Sequence, residues 1–170
     1  MLTRLIKNLT VLDHSIINWV ILHQDRRVRN TFYIITYLGS GYIWFLAYFM
    51  LFIMGTDNVR DILFSVILAE VSGLLIIIVL RNLVKRERPK AVTTSILPWQ
   101  NYSFPSHHAL RVTMLATVIG KSYHSLLLFL ILGAIIVSIS RIYLERHYPF
   151  DVLVGSLLGF LCAIFVIFVF

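Results

Sequence analysis

Four long apolar segments dominate the sequence and limit the folds open to it. They run from Thr31 to Gly55, Ile62 to Leu83, Ser125 to Ile142 and Val152 to Phe170. A helix that crosses a bilayer needs about 17 to 25 mostly apolar residues, so each segment is long enough to span a membrane. Only 14% of the residues are charged, whereas a soluble domain has about 25%. Residues 1–170 are therefore predicted to form a single integral membrane domain.

Two further segments carry weaker signals. Ala109 to Gly120 is short for a span and contains Arg111, and Val11 to His23 is only a few helical turns long. The latter either crosses the bilayer at a tilt or lies in its interface. We therefore expect an all-α integral membrane bundle of six helices, with five spans and a short N-terminal helix. Met1 to Thr10 has no small-residue cleavage site after its apolar run, so we expect it to be retained.

The charge distribution excludes one class of partner. The formal net charge is +7, but the cations flank apolar segments and form no solvated patch, which argues against a nucleic-acid surface. Anionic lipid headgroups or a phosphate substrate suit such cations better. The single cysteine, Cys162, excludes an intramolecular disulfide. We expect a multi-pass protein of the cell membrane whose partners are membrane lipids and a phosphate-bearing substrate.

Three clusters of cationic and histidine residues stand out from this apolar background. They are Arg81-x6-Arg88-Pro89, then Pro105-Ser106-His107-His108, then Ser140-Arg141-x5-His147-x3-Asp151. Charged side chains close to membrane spans are costly, so they indicate a function or a specific partner. Together the clusters offer cations for phosphate oxygens, a histidine with a carboxylate nearby and a second histidine. These groups suffice for phosphoryl transfer without a metal.

The third cluster contains a candidate nucleophile. His147 and Asp151 are four residues apart with Pro149 between them, and proline favours the first turn of a helix, so the last span is predicted to begin near residues 148–150. Asp151 can then accept a hydrogen bond from one ring nitrogen of His147 and leave the other free to attack. An interfacial histidine beside an aspartate cap fits the same spacing, and the two interpretations remain open.

The first cluster offers guanidinium groups for a phosphate. Arg81 and Arg88 are seven residues apart, so they share a helical face if the helix continues to Arg88. Guanidinium forks match phosphate oxygens better than ammonium groups do, and Arg141 is a third candidate of this kind. Their neighbours are predicted instead to contact lipid headgroups; these are Lys85, Arg86 and Lys90.

The second cluster predicts an anion site at the start of a helix. Ser106 is a plausible N-cap, and the free backbone amides that follow it attract an anion. His108, within the first turn, can protonate a leaving oxygen. The adjacent His107 and His108 lack the carboxylates and the HExxH or Cys/His spacing of a metal site, so no metal and no cofactor are predicted.

The crossing pattern predicts that the three clusters meet on one side of the membrane. The second and third clusters are separated by two segments, Ala109 to Gly120 and Ser125 to Ile142, and two crossings return the chain to its starting side. Ile62 to Leu83 ends on that same side. Within the membrane, Glu70 and Arg111 are expected to contact each other, because a buried carboxylate needs a partner or a proton.

In order and spacing the clusters resemble the signature of the type 2 phosphatidic acid phosphatase (PAP2) superfamily, in its bacterial membrane branch. That signature is K-x6-R-P, then P-S-G-H, then S-R-x5-H-x3-D. This sequence departs from it at Arg81, which replaces lysine, and at His107, which replaces glycine. Arginine keeps the charge but changes its reach, whereas a Cβ at residue 107 is expected to restrict the backbone and the approach of phosphate.

The resemblance implies a role for each matched residue. His147 would be the nucleophile and form a phosphohistidine, and Asp151 would orient it. His108 would protonate the leaving group and then activate water. The phosphoryl oxygens would be held by Arg81, Arg88, Arg141, Ser106 and the backbone amide of His107.

The resemblance also implies a substrate class and a location. The implied substrates are phosphatidylglycerophosphate, phosphatidic acid or an isoprenoid diphosphate such as undecaprenyl diphosphate, hydrolysed at the extracytoplasmic face of the membrane. Selectivity is expected in the segment from Pro89 to Phe104, with Trp99 and Tyr102 at the lipid boundary. Haloperoxidases share the phosphate pocket, but they are soluble, and the predicted spans argue against that chemistry. A different class is a non-catalytic lipid-phosphate-binding relative whose pocket is altered at His107.

Overall fold

The computed structural model describes residues 2–90 and 97–170, which form helices joined by short turns. The α-helices of these residues are α1 (Leu2–Leu22), α2 (Arg26–Ile35), α3 (Gly41–Met54), α4 (Asp57–Val84), α5 (His107–Ser122), α6 (Leu127–Tyr143) and α7 (Pro149–Val169). Short 3₁₀ turns lie at Thr36–Gly39, Pro98–Asn101 and His124–Leu126. The predicted all-α class is confirmed, since no strand occurs in the described ranges.

Three helical segments within the described ranges are long and apolar enough to cross a membrane. They are α4, α7 and the segment His124–Tyr143, which contains α6. Helices α2 and α3 pass the same test only as a pair, and they are bent by 44° where they meet. Helix α5 has 16 residues and many of them are buried. The predicted count of six helices is not confirmed, because the predicted span from Thr31 to Gly55 is divided into two helices.

The break between α2 and α3 lies against buried cations of other helices. Arg111 of α5 donates from Nη1 to the carbonyl oxygen of Gly39 at 3.0 Å, and Arg141 of α6 donates to Thr36 Oγ1 at 2.5 Å. A Cβ on Gly39 would lie 2.7 Å from Cδ2 of His108, so the glycine leaves room for that ring. A regular helix would use the Gly39 carbonyl in its own ladder of hydrogen bonds. The predicted segment from Thr31 to Gly55 is therefore not one continuous helix, and hydropathy does not report the reason for its break.

Helix α4 ends before the first cluster is complete. Lys85 has a φ of 49°, in the left-handed region, and its N–H donates to the carbonyl of Arg81 at 3.0 Å, which closes the last turn. Arg88 lies on the segment that follows the helix. The helix does not continue to Arg88, so the condition for Arg81 and Arg88 to share a helical face is not met, although both side chains reach the same cavity.

Helices α5 and α7 cross in close contact at two glycines of α7. A Cβ on Gly155 would lie 2.3 Å from the carbonyl oxygen of Ser106, and one on Gly159 would lie 2.1 Å from that of Leu110. Small residues four positions apart permit such an approach between membrane helices. The N-terminus of α5 therefore rests directly on α7, which sets the position of Ser106 and the two histidines after it.

An intramembrane ion pair supports the same end of the bundle. Arg111 donates from Nε and Nη2 to Glu70 Oε1, which confirms the predicted contact between these two residues. The hydroxyl of Tyr48 donates to Glu70 Oε2 at 2.8 Å. Because Arg111 also holds the carbonyl of Gly39, this cluster links α3, α4 and α5 to the break beside His108.

Helix α1 brings a carboxylate to the end of the bundle where α7 begins. It is longer than the predicted helix from Val11 to His23, and it packs against α6 and α7. Asp13 is only 4% exposed, whereas Trp19 is 61% exposed on the outer surface. The N-terminal helix is therefore attached to the bundle through a buried charged group.

We expect Gly159→Ala to destabilise the protein by about 1–3 kcal/mol, because the new Cβ has to displace the backbone of Leu110. Gly133→Ala in α6 is the matched control, since its Cβ meets nothing within 4 Å and alanine favours a helix by roughly 0.5–1 kcal/mol over glycine. Thermal unfolding midpoints of the detergent-solubilised proteins measure both effects. Equal effects of the two substitutions would contradict the close crossing of α5 and α7.

Candidate active site

A cavity of about 330 Å³ lies at the end of the bundle where α5 and α7 begin. Its described lining consists of Tyr42, Arg81, Arg88, Trp99, Gln100, His107, His108, Arg141, Arg146 and His147. All three sequence clusters contribute to it, so their predicted convergence is confirmed. Larger grooves of about 790 and 440 Å³ have mostly apolar described linings and contain no comparable group of cations. The smaller polar cavity is therefore the candidate site.

The His147 ring is oriented by hydrogen bonds at both nitrogens. Nδ1 lies 2.7 Å from the carbonyl oxygen of Ser103, and Nε2 lies 3.2 Å from Nη1 of Arg88. Because a carbonyl oxygen can only accept, Nδ1 carries the ring proton and Nε2 keeps its lone pair. The nitrogen that can attack is therefore the one beside Arg88, in the cavity wall.

The surroundings of His147 keep the imidazole neutral. The residue is 1% exposed and lies in the loop between α6 and α7. Burial holds the pKa of His147 well below its ordinary value, and the positive charges of Arg88 and Arg141 lower that pKa further. A histidine that is unprotonated at neutral pH can act as a nucleophile.

Asp151 lies behind His147 but does not form the predicted hydrogen bond with it. The distance from His147 Nδ1 to Asp151 Oδ2 is 3.9 Å, and Nδ1 donates to Ser103 instead. Asp151 Oδ2 accepts the backbone N–H of Tyr148 at 2.9 Å, and Oδ1 accepts from Arg86 at 2.7 Å. Free N–H groups at the start of α7 attract the carboxylate. Both carboxylate oxygens of Asp151 are therefore occupied, one by the N–H group of Tyr148 and the other by the guanidinium of Arg86.

Arg81 and Arg141 present buried guanidinium groups to the cavity. Arg81 Nη2 donates to the carbonyl oxygen of Pro105 at 3.1 Å, and its guanidinium lies 5.6 Å from the centre of the Trp99 ring. Nε of Arg141 is buried without a hydrogen-bond partner in the described part of the chain. An unsatisfied buried donor is costly, so an anion in the cavity would be stabilised by this N–H group.

Arg88 joins the loop before α5 to the loop before α7. Its Nη1 donates to the carbonyl of Arg146 and its Nη2 to that of Gln100, each at 2.8 Å. Its Nε has no hydrogen-bond partner within the described ranges. Burial and the charge of Arg146 lower the pKa of Arg88 to about 10, so the guanidinium remains a cation at neutral pH. The side chain is thus held in place in the cavity wall, with one buried N–H group unpaired within the described ranges.

Helix α5 begins where it was predicted to begin, and its predicted N-cap residue is confirmed, but that residue makes no capping hydrogen bond with its side chain. Ser106 is the N-cap, yet its buried Oγ has no hydrogen-bond partner among the described residues. The same holds for Nε2 of the next residue, His107. Positive φ among the described non-glycine residues occurs only at Lys85 and Glu145. His107 therefore has an ordinary helical backbone, and the restriction of the backbone expected from replacing glycine is not found there. The expected effect on the approach of phosphate stays a prediction.

Arg86 is a residue of the site that the sequence analysis missed. Lys85 and Lys90 are exposed, but Arg86 turns inward and bridges Asp13 at 2.6 Å and Asp151 at 2.7 Å. The prediction that Arg86 contacts lipid headgroups is therefore wrong. The available signal was Asp13, a carboxylate inside an apolar segment that needs a cation once it is buried.

Arg146 was also missed, and its signal was its place directly before His147 in the chain. Its partly buried side chain adds a fourth arginine to the cavity lining. Trp99, expected at the lipid boundary, lines the cavity instead, and Tyr102 is partly exposed. Residues 91–96 of the predicted selectivity segment lie outside the described residues.

The family model described as PAP2 superfamily matches residues 58–170, more than half of the chain. The chain belongs to the PAP2 superfamily. All three motif clusters of this PAP2 protein lie in the matched region. Asp13 and the break between α2 and α3 lie outside it, although both contact residues of the matched part.

Two curated relatives match part of this PAP2 protein. It is 35% identical over 86 residues to the decaprenylphosphoryl-5-phosphoribose phosphatase of Mycobacterium tuberculosis strain H37Rv, across 49% of this chain and 48% of the relative. It is 43% identical over 60 residues to the undecaprenyl-diphosphatase of Sulfolobus acidocaldarius, across 35% of this chain and 29% of the relative. The matched chain thus spans about half the length of these relatives or less.

Two solved structures share the helical arrangement. The crystal structure of Aquifex aeolicus LpxE has a TM-score of 0.75 and 27% identity, covering 92% of this chain and 94% of that chain. The crystal structure of a transmembrane PAP2 type phosphatidylglycerolphosphate phosphatase from Bacillus subtilis has a TM-score of 0.75 and 24% identity, covering 94% and 85%. The second likeness shows the fold of a transmembrane PAP2 protein.

The depressed pKa of His147 predicts how the stability of this PAP2 protein depends on pH. Below about pH 6.5 the unfolded histidine takes up a proton that the folded one does not bind. Stability should therefore fall as the pH falls below about 6.5, by up to about 1.4 kcal/mol per pH unit from this group. His147→Asn, whose amide can still donate to Ser103, should reduce that slope in thermal unfolding measured between about pH 5 and pH 7.

His124→Asn is the control for this measurement, since His124 is exposed in the turn before α6. It should leave the pH dependence of the unfolding midpoint unchanged. A slope that is the same in His147→Asn and in the unaltered protein would contradict the depressed pKa.

Proposed function

We propose that this PAP2 protein is a lipid phosphatase that hydrolyses a phosphomonoester or diphosphate of a membrane lipid through a phosphohistidine intermediate, without a metal. The observation that carries the proposal is a ring nitrogen able to attack that lies beside a group of arginine side chains in one cavity. His147 Nε2 keeps its lone pair in the wall of a cavity, and that cavity is lined by four arginines. Donors of Arg88 and Arg141 are buried there without partners among the described residues.

In the first step, Nε2 of His147 attacks the phosphorus atom of the lipid phosphate. The N–P bond forms as the P–O bond to the leaving group breaks, and His108, protonated beside the bound anionic phosphate, gives its proton to the departing oxygen. The leaving group is a lipid alcohol or, from a diphosphate, a lipid monophosphate. The carboxylate of Asp151, 3.9 Å from Nδ1, offsets the positive charge that His147 acquires.

In the second step, water attacks the phosphohistidine and His108 accepts its proton. The N–P bond breaks, inorganic phosphate leaves, and both histidines return to their starting states. Through both steps the phosphoryl oxygens are held by Arg81, Arg88, Arg141 and the amides at the start of α5. Phosphoryl transfer depends chiefly on positioning and charge stabilisation, and one well-placed donor contributes about 10²–10³ in rate. Guanidinium groups thus provide the charge stabilisation that metal ions supply in other phosphoryl-transfer sites.

An apolar groove beside the cavity supports a lipid as the carrier of the phosphate. It has a volume of about 440 Å³, lies between α3 and α4, and begins at Gly41, next to Tyr42 of the cavity wall. Phe45, Phe49 and Phe52 line it. An acyl or isoprenoid chain in this groove would leave its phosphate group near the arginines.

Phosphatidylglycerophosphate, phosphatidic acid and undecaprenyl diphosphate remain the proposed substrates, with the cavity at the extracytoplasmic face. The named relatives include an undecaprenyl-diphosphatase and a phosphatase of a decaprenylphosphoryl sugar phosphate. Arg146 favours a diphosphate among these, because it adds a fourth cation to the cavity and a diphosphate carries more negative charge than a monophosphate.

His147→Ala should lower phosphate release from lipid phosphates by on the order of 10³-fold or more, because it removes the nucleophile. The measurement is release of inorganic phosphate by detergent-solubilised protein, compared for phosphatidylglycerophosphate, phosphatidic acid and undecaprenyl diphosphate. His124→Ala, at an exposed position in the turn before α6, is the matched control and should keep full activity. Sealed right-side-out vesicles should hydrolyse substrate added outside without detergent if the cavity is extracytoplasmic.

Undiminished release by His147→Ala would refute the phosphohistidine mechanism. Binding of vanadate or phosphate by the unaltered protein, with no turnover of any of the three lipids, would favour the non-catalytic lipid-phosphate-binding alternative. Such an outcome would direct attention to His107, whose ring nitrogen lies in the cavity region where the PAP2 signature has a glycine.

Arg146→Gln should distinguish diphosphate from monophosphate substrates. Loss of one charge-assisted contact is expected to raise KM about 10-fold for a lipid diphosphate, with a smaller rise for the corresponding monophosphate. Lys90→Gln removes a nearby exposed cation outside the cavity lining and should change neither value. An equal rise in KM for both substrates would show that Arg146 does not contact a second phosphate.

A further inference from the structure

We infer that Arg86 and Asp13 are positioning residues that hold Asp151 and the His147 loop in their reactive arrangement. This inference rests on the proposed phosphatase function and adds two residues to its machinery. Neither residue lines the cavity in the described part of the chain. Asp13 also lies outside residues 58–170, the region that the family model matches. Helix α1, which lies outside the matched region, therefore contributes a side chain that supports the site.

The side chain of Arg86 lies between two buried carboxylates. Nη1 donates to Asp151 Oδ1 at 2.7 Å and Nη2 donates to Asp13 Oδ2 at 2.6 Å. The carboxylate side chains are 0% and 5% exposed, respectively, and the guanidinium lies 4.1 Å from the centre of the Tyr148 ring. A carboxylate withdrawn from water needs such a partner to remain ionised. Arg86 thus keeps a negative charge on Asp151, close to the ring of His147.

Asp13 and Asp151 together hold the first turn of α7. Asp13 Oδ1 accepts the backbone N–H of Phe150 at 3.0 Å, and Asp151 Oδ2 accepts that of Tyr148 at 2.9 Å. These N–H groups have no partners within the helix itself, so the carboxylates fix the point at which α7 begins. His147 is the residue directly before this turn, and its backbone position depends on the same contacts.

The main chain of Arg86 reaches His147 by a second route. The carbonyl oxygen of Arg86 accepts the backbone N–H of Ser103 at 2.8 Å and its hydroxyl at 3.2 Å. The carbonyl of Ser103 in turn accepts the proton of His147 Nδ1 at 2.7 Å. The side chain of Arg86 therefore orients the carboxylate of Asp151 behind the imidazole. The backbone of Arg86 holds Ser103, whose carbonyl selects the tautomer of the imidazole.

The test compares Arg86→Gln, Asp13→Asn and Lys90→Gln with the unaltered protein on the same lipid phosphate. We expect kcat to fall about 10–100-fold in the first two variants, the size usual for loss of a group that orients a reactive side chain. KM and inhibition by vanadate should change less than about 3-fold, because the phosphate-binding arginines remain in place. Lys90→Gln, a cation removed from an exposed position on the same segment, should leave all three values unchanged.

Conservative variants separate positioning from a general effect on folding. Arg86→Lys should recover only part of kcat, because an ammonium group does not bridge two carboxylates as a guanidinium fork does. The unfolding midpoint of each variant is measured first, so that every assay is run at a temperature at which the variants are equally folded. A merely structural salt bridge would lower the unfolding midpoint, vanadate binding and kcat together, and that pattern overturns the inference.

The remaining outcomes are also decisive. Full kcat in Arg86→Gln or Asp13→Asn, with an active unaltered protein, overturns the positioning role and leaves the proposed phosphatase function intact. An unaltered protein that hydrolyses none of the lipid phosphates refutes the proposed function, and the positioning role falls with it. The two failures are therefore distinguished by the activity of the unaltered protein alone.

Discussion

The burial of arginine side chains at one end of an apolar bundle is the constraint on which the rest of this structure depends. Each guanidinium withdrawn from water has to be paired, because an uncompensated buried charge is strongly destabilising. Arg111 is paired with Glu70 and Arg86 with two carboxylates, so these two hold helices together. Arg88 and Arg141 are satisfied only in part, by uncharged groups, and each keeps an unpaired donor in the described structure. Complete pairing thus marks the arginines that hold other protein groups in place, and incomplete pairing marks the candidate anion site.

The backbone is irregular where it supplies hydrogen-bond acceptors to these arginines. The bent junction of α2 and α3 presents the carbonyl of Gly39 to Arg111 and the hydroxyl of Thr36 to Arg141. Within a membrane, such departures from a regular helix are tolerated where other protein groups satisfy the freed backbone. The close crossing of α5 on Gly155 places the first turn of α5 against the same region. Function and packing therefore depend on the same few backbone positions.

The proposed nucleophile, His147, is held by several parts of the chain rather than by one partner. Ser103 fixes the proton on Nδ1, Arg88 lies beside Nε2, and Asp151 provides a nearby charge without a direct hydrogen bond. The carboxylate is in turn fixed by Arg86 and the start of α7. An imidazole that is buried, neutral and oriented in this way would lose little entropy in the proposed attack, which is the advantage of preorganisation.

The sequence by itself determined the membrane class, three apolar spans close to α4, α6 and α7, and the three clusters that meet at the candidate site. It could do so because apolar length reports on spans and because fixed spacing keeps reactive side chains on one end of a helix or in one loop. Only the tertiary structure decided that the carbonyl of Ser103, rather than Asp151, accepts the hydrogen bond from His147, and that Arg86 turns toward Asp13. These contacts join residues far apart in the chain, and their energies depend on distance and orientation, which residue spacing along a chain does not encode.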